Sequence, residues 1–156
     1  MEQRLYKKRI LVIDQELFCD SETQDLINAQ PDLVACNRPS GAVSISAAVA
    51  LEKPDLLLLG LRLDNVGDFE LTNALRLEFP HLHILIFSEG DEMLYAERAL
   101  QAGAKGYIMK QESADELLAA IRAVLSGRIY LSHNMSVRVV QRVLKPGSFR
   151  AKPQAL

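Results

Sequence analysis

The feature that most limits what this chain can fold into is a five-fold alternation of short apolar runs with longer amphipathic segments. The runs occupy residues 10–13, 33–36, 56–59, 83–87 and 106–109. They are too short for helices, and a strand apolar at nearly every position must be covered on both faces, as in a parallel sheet. Leu17, Phe18, Leu26 and Ile27 follow the first run at helical spacing, up to Pro31. Residues 42–51 follow the second run. Phe69, Leu71, Leu75 and Leu77 precede Pro80, and residues 91–102 run up to Gly103. Ser113-Ala-Asp-Glu116 has the form of a capping box, opening a segment with Leu117, Leu118, Ile121 and Leu125 on one face up to Gly127. A crossover between parallel neighbours needs a helix, so the pattern predicts one α/β domain over residues 8–131 with a doubly wound parallel sheet. With 156 residues, 49% of them apolar, the chain can bury such a core.

In sheets wound this way, chemistry gathers beyond the carboxyl ends of the strands. Those ends carry Asp14-Gln15, Gly60, Ser88-Glu89 and Lys110-Gln111. An acid, a hydroxyl and an ammonium at one rim suit phosphate: the hydroxyl and ammonium grip its oxygens while the carboxylate helps hold a divalent cation. Other chemistries lack their residues. There is no G-x-G-x-x-G or Walker pattern. Cys19 and Cys36 form neither a C-x-x-C nor a disulfide framework, and read as small buried hydrophobes in a reducing compartment. His81, His83 and His133 lack ligand spacing. A charged amino terminus without a long apolar run predicts no signal peptide or membrane span, hence a cytoplasmic protein. Charge is unevenly spread: the net −2 divides into −9 up to Glu116 and +7 beyond it.

Ala99-Leu-Gln-Ala-Gly-Ala-Lys-Gly-Tyr-Ile-Met-Lys110, followed by Glu116-Leu-Leu-Ala-Ala-Ile-Arg-Ala-Val124, resembles the receiver domains of two-component response regulators, in particular those attached to LuxR-type DNA-binding domains. Arg9-Ile-Leu-Val-Ile-Asp14 and Pro54-Asp-Leu-Leu-Leu-Leu59 agree. The resemblance implies a flavodoxin-like fold with five parallel strands in the order 2-1-3-4-5. It also implies a phosphorylation pocket in which two adjacent acids after the first strand, with a third ending the central strand, bind magnesium. The third acid is the phosphoacceptor. Here the adjacent pair is Asp14-Gln15 and the acceptor position is Gly60, so the resemblance implies a degenerate pocket of Asp14, Gln15, Gly60, Ser88 and Lys110. Ser88 stands at the switch hydroxyl and Tyr107 at the switch aromatic. No cofactor is expected, and Mg²⁺ binding is expected to be weak or lost, with Asp14 as its only residual ligand. Asp64 stands where the family usually has Pro, and Gly67-Asp68 inverts its usual Asp-Gly.

The retained residues also have plainer roles. Lys110 is expected to pair with Asp14, Ser88 to satisfy local backbone groups, and Tyr107 to sit half-packed on its neighbours. Asp64 and Asp68 lie several residues past the strand end, at ~3.3 Å per residue too far to replace the acceptor. Residues 132–145 predict a sixth helix with an apolar stripe of Val139, Val140, Val143 and Leu144 and a basic edge of Arg138, Arg142 and Lys145. Residues 146–156 read as a linker or tail: in the resembled family such a linker leads to a helix-turn-helix domain, through which alone DNA would be bound, and the alternative is a stand-alone receiver with a tail. The leading expectation is an atypical receiver, not an enzyme, that signals and dimerises within a transcription regulator. Its partners would be a second copy and a sensor kinase or regulatory protein, and the resemblance implies a partner face on the fourth helix, fifth strand and fifth helix or, as an alternative, on the first and fifth helices. The alternatives are an active phosphoreceiver with a displaced acceptor, or a small-ligand-binding flavodoxin-like domain. Residues 14–18 lack the Ser/Thr/Gly-rich loop that FMN would need.

Overall fold

A computed structural model describes residues 6–14, 21–36, 44–63 and 66–144. Gln15, Leu17, Phe18, Cys19, the turn expected at 38–41, Asp64 and residues 145–156, with Lys145 and the expected linker, lie outside the described residues. Strands β1 (Lys8–Asp14), β2 (Leu33–Cys36), β3 (Leu56–Gly60), β4 (His83–Ser88) and β5 (Gly106–Met109) alternate with helices α1 (Ser21–Asn28), α2 (Ile45–Glu52), α3 (Val66–Glu78), α4 (Glu92–Gln101) and α5 (Ala114–Leu125). A last helix, α6, spans His133–Leu144. The strands are parallel and ordered β2-β1-β3-β4-β5, the order that the resemblance implied.

Successive side chains on a strand point to opposite faces, so the apolar runs feed two cores. Leu11, Ile13, Leu57, Leu59, Ile84, Ile86 and Tyr107 face one layer, with α2, α3 and α4 packed on it. Ile10, Val12, Leu56, Leu58, Leu85 and Ile108 face the other, against Ile27 of α1 and Leu117, Leu118, Ile121 and Val124 of α5. Every residue of β3 is buried. At about 1.5–3 kcal/mol per buried aliphatic side chain, this central run contributes more than any single polar contact. It fixes the pole at which β1, β3 and β4 end together.

The helix starts follow capping chemistry. The Ser44 hydroxyl accepts from the Ala47 N–H at 3.0 Å, and the Asp91 carboxylate accepts from the Met93 N–H at 3.0 Å. Ser113 accepts from the Glu116 N–H at 3.2 Å, but the Glu116 carboxylate takes the Tyr130 hydroxyl at 2.5 Å, which recruits half of the expected capping box to hold the chain after α5. Tyr130 also bridges to Gly106: its N–H donates to the Lys105 carbonyl at 3.0 Å, and its carbonyl accepts from the Tyr107 N–H at 3.1 Å.

α6 docks by a different face from the one the sequence suggested. Met135 is 1% exposed and Val139 packs beside it on the first core layer, whereas Val140, Val143 and Leu144 are 54%, 47% and 70% exposed. Nor is the basic edge wholly solvated, because Arg142 pairs with Glu97 of α4. Val139 and Val140 are neighbours 100° apart on a helix, so periodicity alone does not choose between their faces.

Candidate functional site

The carboxyl pole is built around a glycine. Asp14 ends β1 directly opposite Gly60, which ends β3. A Cβ built on Gly60 would lie 2.8 Å from Asp14 Cγ and 3.0 Å from each carboxylate oxygen, so the Asp14 carboxylate fills the space that a side chain at position 60 would use. Lys110, just past β5, reaches back over the strand ends and donates from Nζ to Asp14 Oδ2 at 2.6 Å. The two side chains are 4% (Asp14) and 14% (Lys110) exposed. Lys110 Nζ also stands 5.6 Å from the centre of the Phe87 ring, and its backbone N–H donates to the Ser88 carbonyl at 2.8 Å. A charge-assisted bond this short, screened little by water, is among the stronger polar contacts available to a protein.

Beside this pair lies a second set of bonds centred on Gly90. The Gly90 N–H donates to the Ser88 hydroxyl at 2.9 Å, and the Gly90 carbonyl accepts from the Tyr107 hydroxyl at 2.7 Å. Ser88 and Tyr107 are each fully buried. Tyr107 is therefore not half-packed as expected: its ring belongs to the core and only its hydroxyl addresses the β4–α4 loop. Burial pushes its phenol up to about 12, with the Ser88 hydroxyl pulling in the opposite direction. A Cβ on Gly90 would lie 2.9 Å from the Tyr95 ring, so the loop closes tightly over the phenol.

Asp68 organises the loop after β3. Asp68 is buried in the first turn of α3, and its Oδ2 accepts from the Leu63 N–H at 2.8 Å, holding Leu63 at φ +66°. Asp64, the other candidate beyond this strand, and Gln15 lie outside the described residues.

Sequence reasoning missed Gly90 and Glu92. Glu92, at the start of α4, is 7% exposed, and its Oε2 accepts from the Ser132 N–H at 2.9 Å just before α6. The signal was present: Ser132 begins a helix with no acid three residues on to complete a capping box. Among the described residues no three His, Cys, Asp or Glu side chains are placed to hold a metal. His83, half-buried, has its pKa lowered by burial and by Lys105 and Lys8, against the pull of Asp55. No helix among the described residues is long and apolar enough to cross a membrane. The pole thus offers a shielded carboxylate–ammonium pair, a hydroxyl–phenol pair on one loop, and no side chain at the end of the central strand.

Comparison with known proteins identifies the fold that carries this pole. Residues 10–122 match the model of the response regulator receiver domain. The response regulator GacA of Pseudomonas protegens is 30% identical over 141 residues, covering 90% of this chain and 66% of the relative. An uncharacterized transcriptional regulatory protein of Bacillus subtilis, YxjL, is 26% identical over 148 residues, covering 95% of this chain and 66% of the relative. The chain spans about two thirds or less of the length of these curated relatives. Among solved structures, a LuxR-family two-component response regulator from Aurantimonas superposes with a TM-score of 0.75 at 26% identity, covering 89% of this chain and 99% of that one. A CheY-like receiver domain protein from Methanospirillum hungatei shares the fold, with a TM-score of 0.61 at 21% identity over 78% of this chain and 95% of that one.

Proposed function

The chain belongs to the response regulator receiver family, and from that premise we propose that it is an atypical receiver whose state is not set by a phosphoryl group at the end of β3. In this reading it is a cytoplasmic signalling and dimerisation module of a transcription regulator, not an enzyme. The observation that carries the proposal is the Asp14 carboxylate lying over Gly60 and bonded to Lys110 at 2.6 Å. Glycine offers no nucleophile. The acid and ammonium that would serve a phosphoryl group there neutralise each other instead.

The donor set also fits Mg²⁺ poorly. That ion asks for near-octahedral oxygen ligation, usually from more than one carboxylate. Here Asp14 is charge-paired with Lys110, and Gly60 brings no oxygen on a side chain. With neither metal nor phosphoryl group to bias it, the conformational equilibrium would be set by sequence and by whatever binds one state better, a second copy or a regulatory protein such as a sensor kinase. DNA would be reached through a helix-turn-helix domain like those of LuxR-family regulators.

The test is intact-mass measurement of the 156-residue chain before and after acetyl phosphate with Mg²⁺. No base-labile phosphoryl adduct is expected. An adduct mapped to Asp64 would overturn the reading in favour of a displaced acceptor. Asp68 is poorly disposed for that role, because its carboxylate is buried and bound to its own loop.

A further inference from the structure

We propose that Glu92 is a positioning residue that couples the β4–α4 loop to α6, so that the arrangement of Ser88, Gly90 and Tyr107 governs whether the last helix stays docked. The inference rests on reading this pole as the signalling end of a receiver.

α6 begins with only half of its caps supplied locally. The Ser132 hydroxyl accepts from the Met135 N–H at 3.1 Å, the first half of a capping box. The second half would be an acid at position 135 bonding back to the Ser132 N–H, but that residue is Met135, turned into the core at 1% exposure. Glu92 supplies the missing acceptor from another helix, 40 residues away in sequence, with its carboxylate at 2.9 Å from the Ser132 N. A carboxylate there also faces the positive end of the α6 dipole. Glu92 is itself buried, a costly place for a charge, and so is expected to hold its partner firmly.

The other end of the connection is equally short. Glu92 follows Asp91, the N-cap of α4, which follows Gly90, whose N–H and carbonyl are taken by Ser88 and Tyr107. Moving the loop off the Tyr107 hydroxyl shifts the first turn of α4, and with it the carboxylate that caps α6. The rest of the docking of α6 comes from Met135, its one fully buried residue, from Val139 packed beside it, and from the exposed pair of Arg142 with Glu97.

Hydrogen exchange of the 156-residue chain, with no phosphoryl donor present, tests the coupling independently of phosphorylation. Glu92→Ala is expected to speed amide exchange in residues 133–144 about 5–30-fold, the factor that corresponds to one lost helix cap, while amides of β3 keep their rates. Glu92→Gln, which keeps an acceptor oxygen, is expected to restore part of the protection and covers the case in which the alanine variant folds poorly. Tyr107→Phe, which removes only the hydroxyl that bonds the Gly90 carbonyl, is expected to speed the same α6 amides, and the double variant Tyr107→Phe/Glu92→Ala to add little further. Unchanged α6 exchange in Tyr107→Phe, or equal and additive effects of the two substitutions, would overturn the coupling and leave Glu92 a local cap. A phosphoryl adduct in the separate mass experiment would overturn the proposed function without touching this result.

Discussion

Replacing Lys110 by Met tests how strongly the carboxyl pole depends on its ion pair. Asp14 is 4% exposed and Lys110 14%, with 2.6 Å between Nζ and Oδ2. Lys110→Met keeps the aliphatic stem and deletes the charge, taking the ammonium away from a carboxylate that has little access to water. Removing one partner of a buried pair costs roughly 3–5 kcal/mol, and the partial exposure of Lys110 puts the expectation near the lower end, about 3 kcal/mol. At roughly 2–4 °C per kcal/mol for a chain of this size, Tm should fall by about 6–12 °C. Asp14→Asn is the milder change, about 1 kcal/mol, because the flexible lysine stem can carry its ammonium toward solvent. The double variant Asp14→Asn/Lys110→Met removes both charges and should recover most of the loss, giving a coupling of about 2–3 kcal/mol in the double-mutant cycle. Urea unfolding of the four proteins at pH 7, with midpoints compared at constant m, measures each term. A cost for Lys110→Met below about 1 kcal/mol, the range of exposed pairs, would refute the view of the pair as shielded and structurally decisive.

Three further outcomes follow from the same geometry. Gln15→Asp/Gly60→Asp should raise Tm in millimolar Mg²⁺, where the parent chain should show no shift, because the new side chain at 60 displaces the Asp14 carboxylate from 2.8 Å contact and presents it to a cation; absence of a response in a folded double variant would refute this. Gly103→Ala should cost more than Gly127→Ala: both sit at positive φ, +114° and +90°, a strain of about 1–2 kcal/mol for a side chain, but a Cβ at 103 would meet Arg76 Cδ at 2.1 Å while 127 faces open space. Equal urea midpoints would contradict it. His83 has its pKa held below the usual 6.5, so the unfolded chain binds more protons and stability should fall as pH drops through and below about 6.5; His83→Gln should flatten that slope, and an unchanged slope would assign it to other groups.

How far the sequence could be read depended on the kind of order involved. Leu56 to Leu59 is legible as a central strand because only a position covered on both faces tolerates four successive leucines. Asp14, Ser88 and Lys110 could be placed at one pole because each follows an apolar run whose end is sharply marked. What could not be read is where side chains go when two choices have similar local energies. α6 offered Val139 and Val140 equally, and the docked face was decided by Met135 and by Tyr130, whose two-bond bridge to the sheet sets where the chain leaves it. Glu116 satisfied a motif and yet spends its carboxylate on Tyr130, because a capping box states what a helix start can use and says nothing of competitors brought in from elsewhere. Tyr107 could be named but not buried, since the depth of an aromatic ring depends on neighbours contributed by α4 and its loop.

The bridge at Tyr130 also bears on what kinds of molecule can attach to this protein. β5 has only four residues, with β4 on one flank and Tyr130 on the other, where it takes the Tyr107 N–H and the Lys105 carbonyl. A peptide that recognises a sheet by extending it must find a row of vacant donors and acceptors at the margin. Along the first half of β5 that row is already filled from within the chain, and too little backbone remains for a guest strand to gain register. Recognition by main-chain zippering is therefore closed at this margin, and any partner that approaches it must read side chains on helices. Its specificity would be written in residues that can change one at a time without disturbing the sheet.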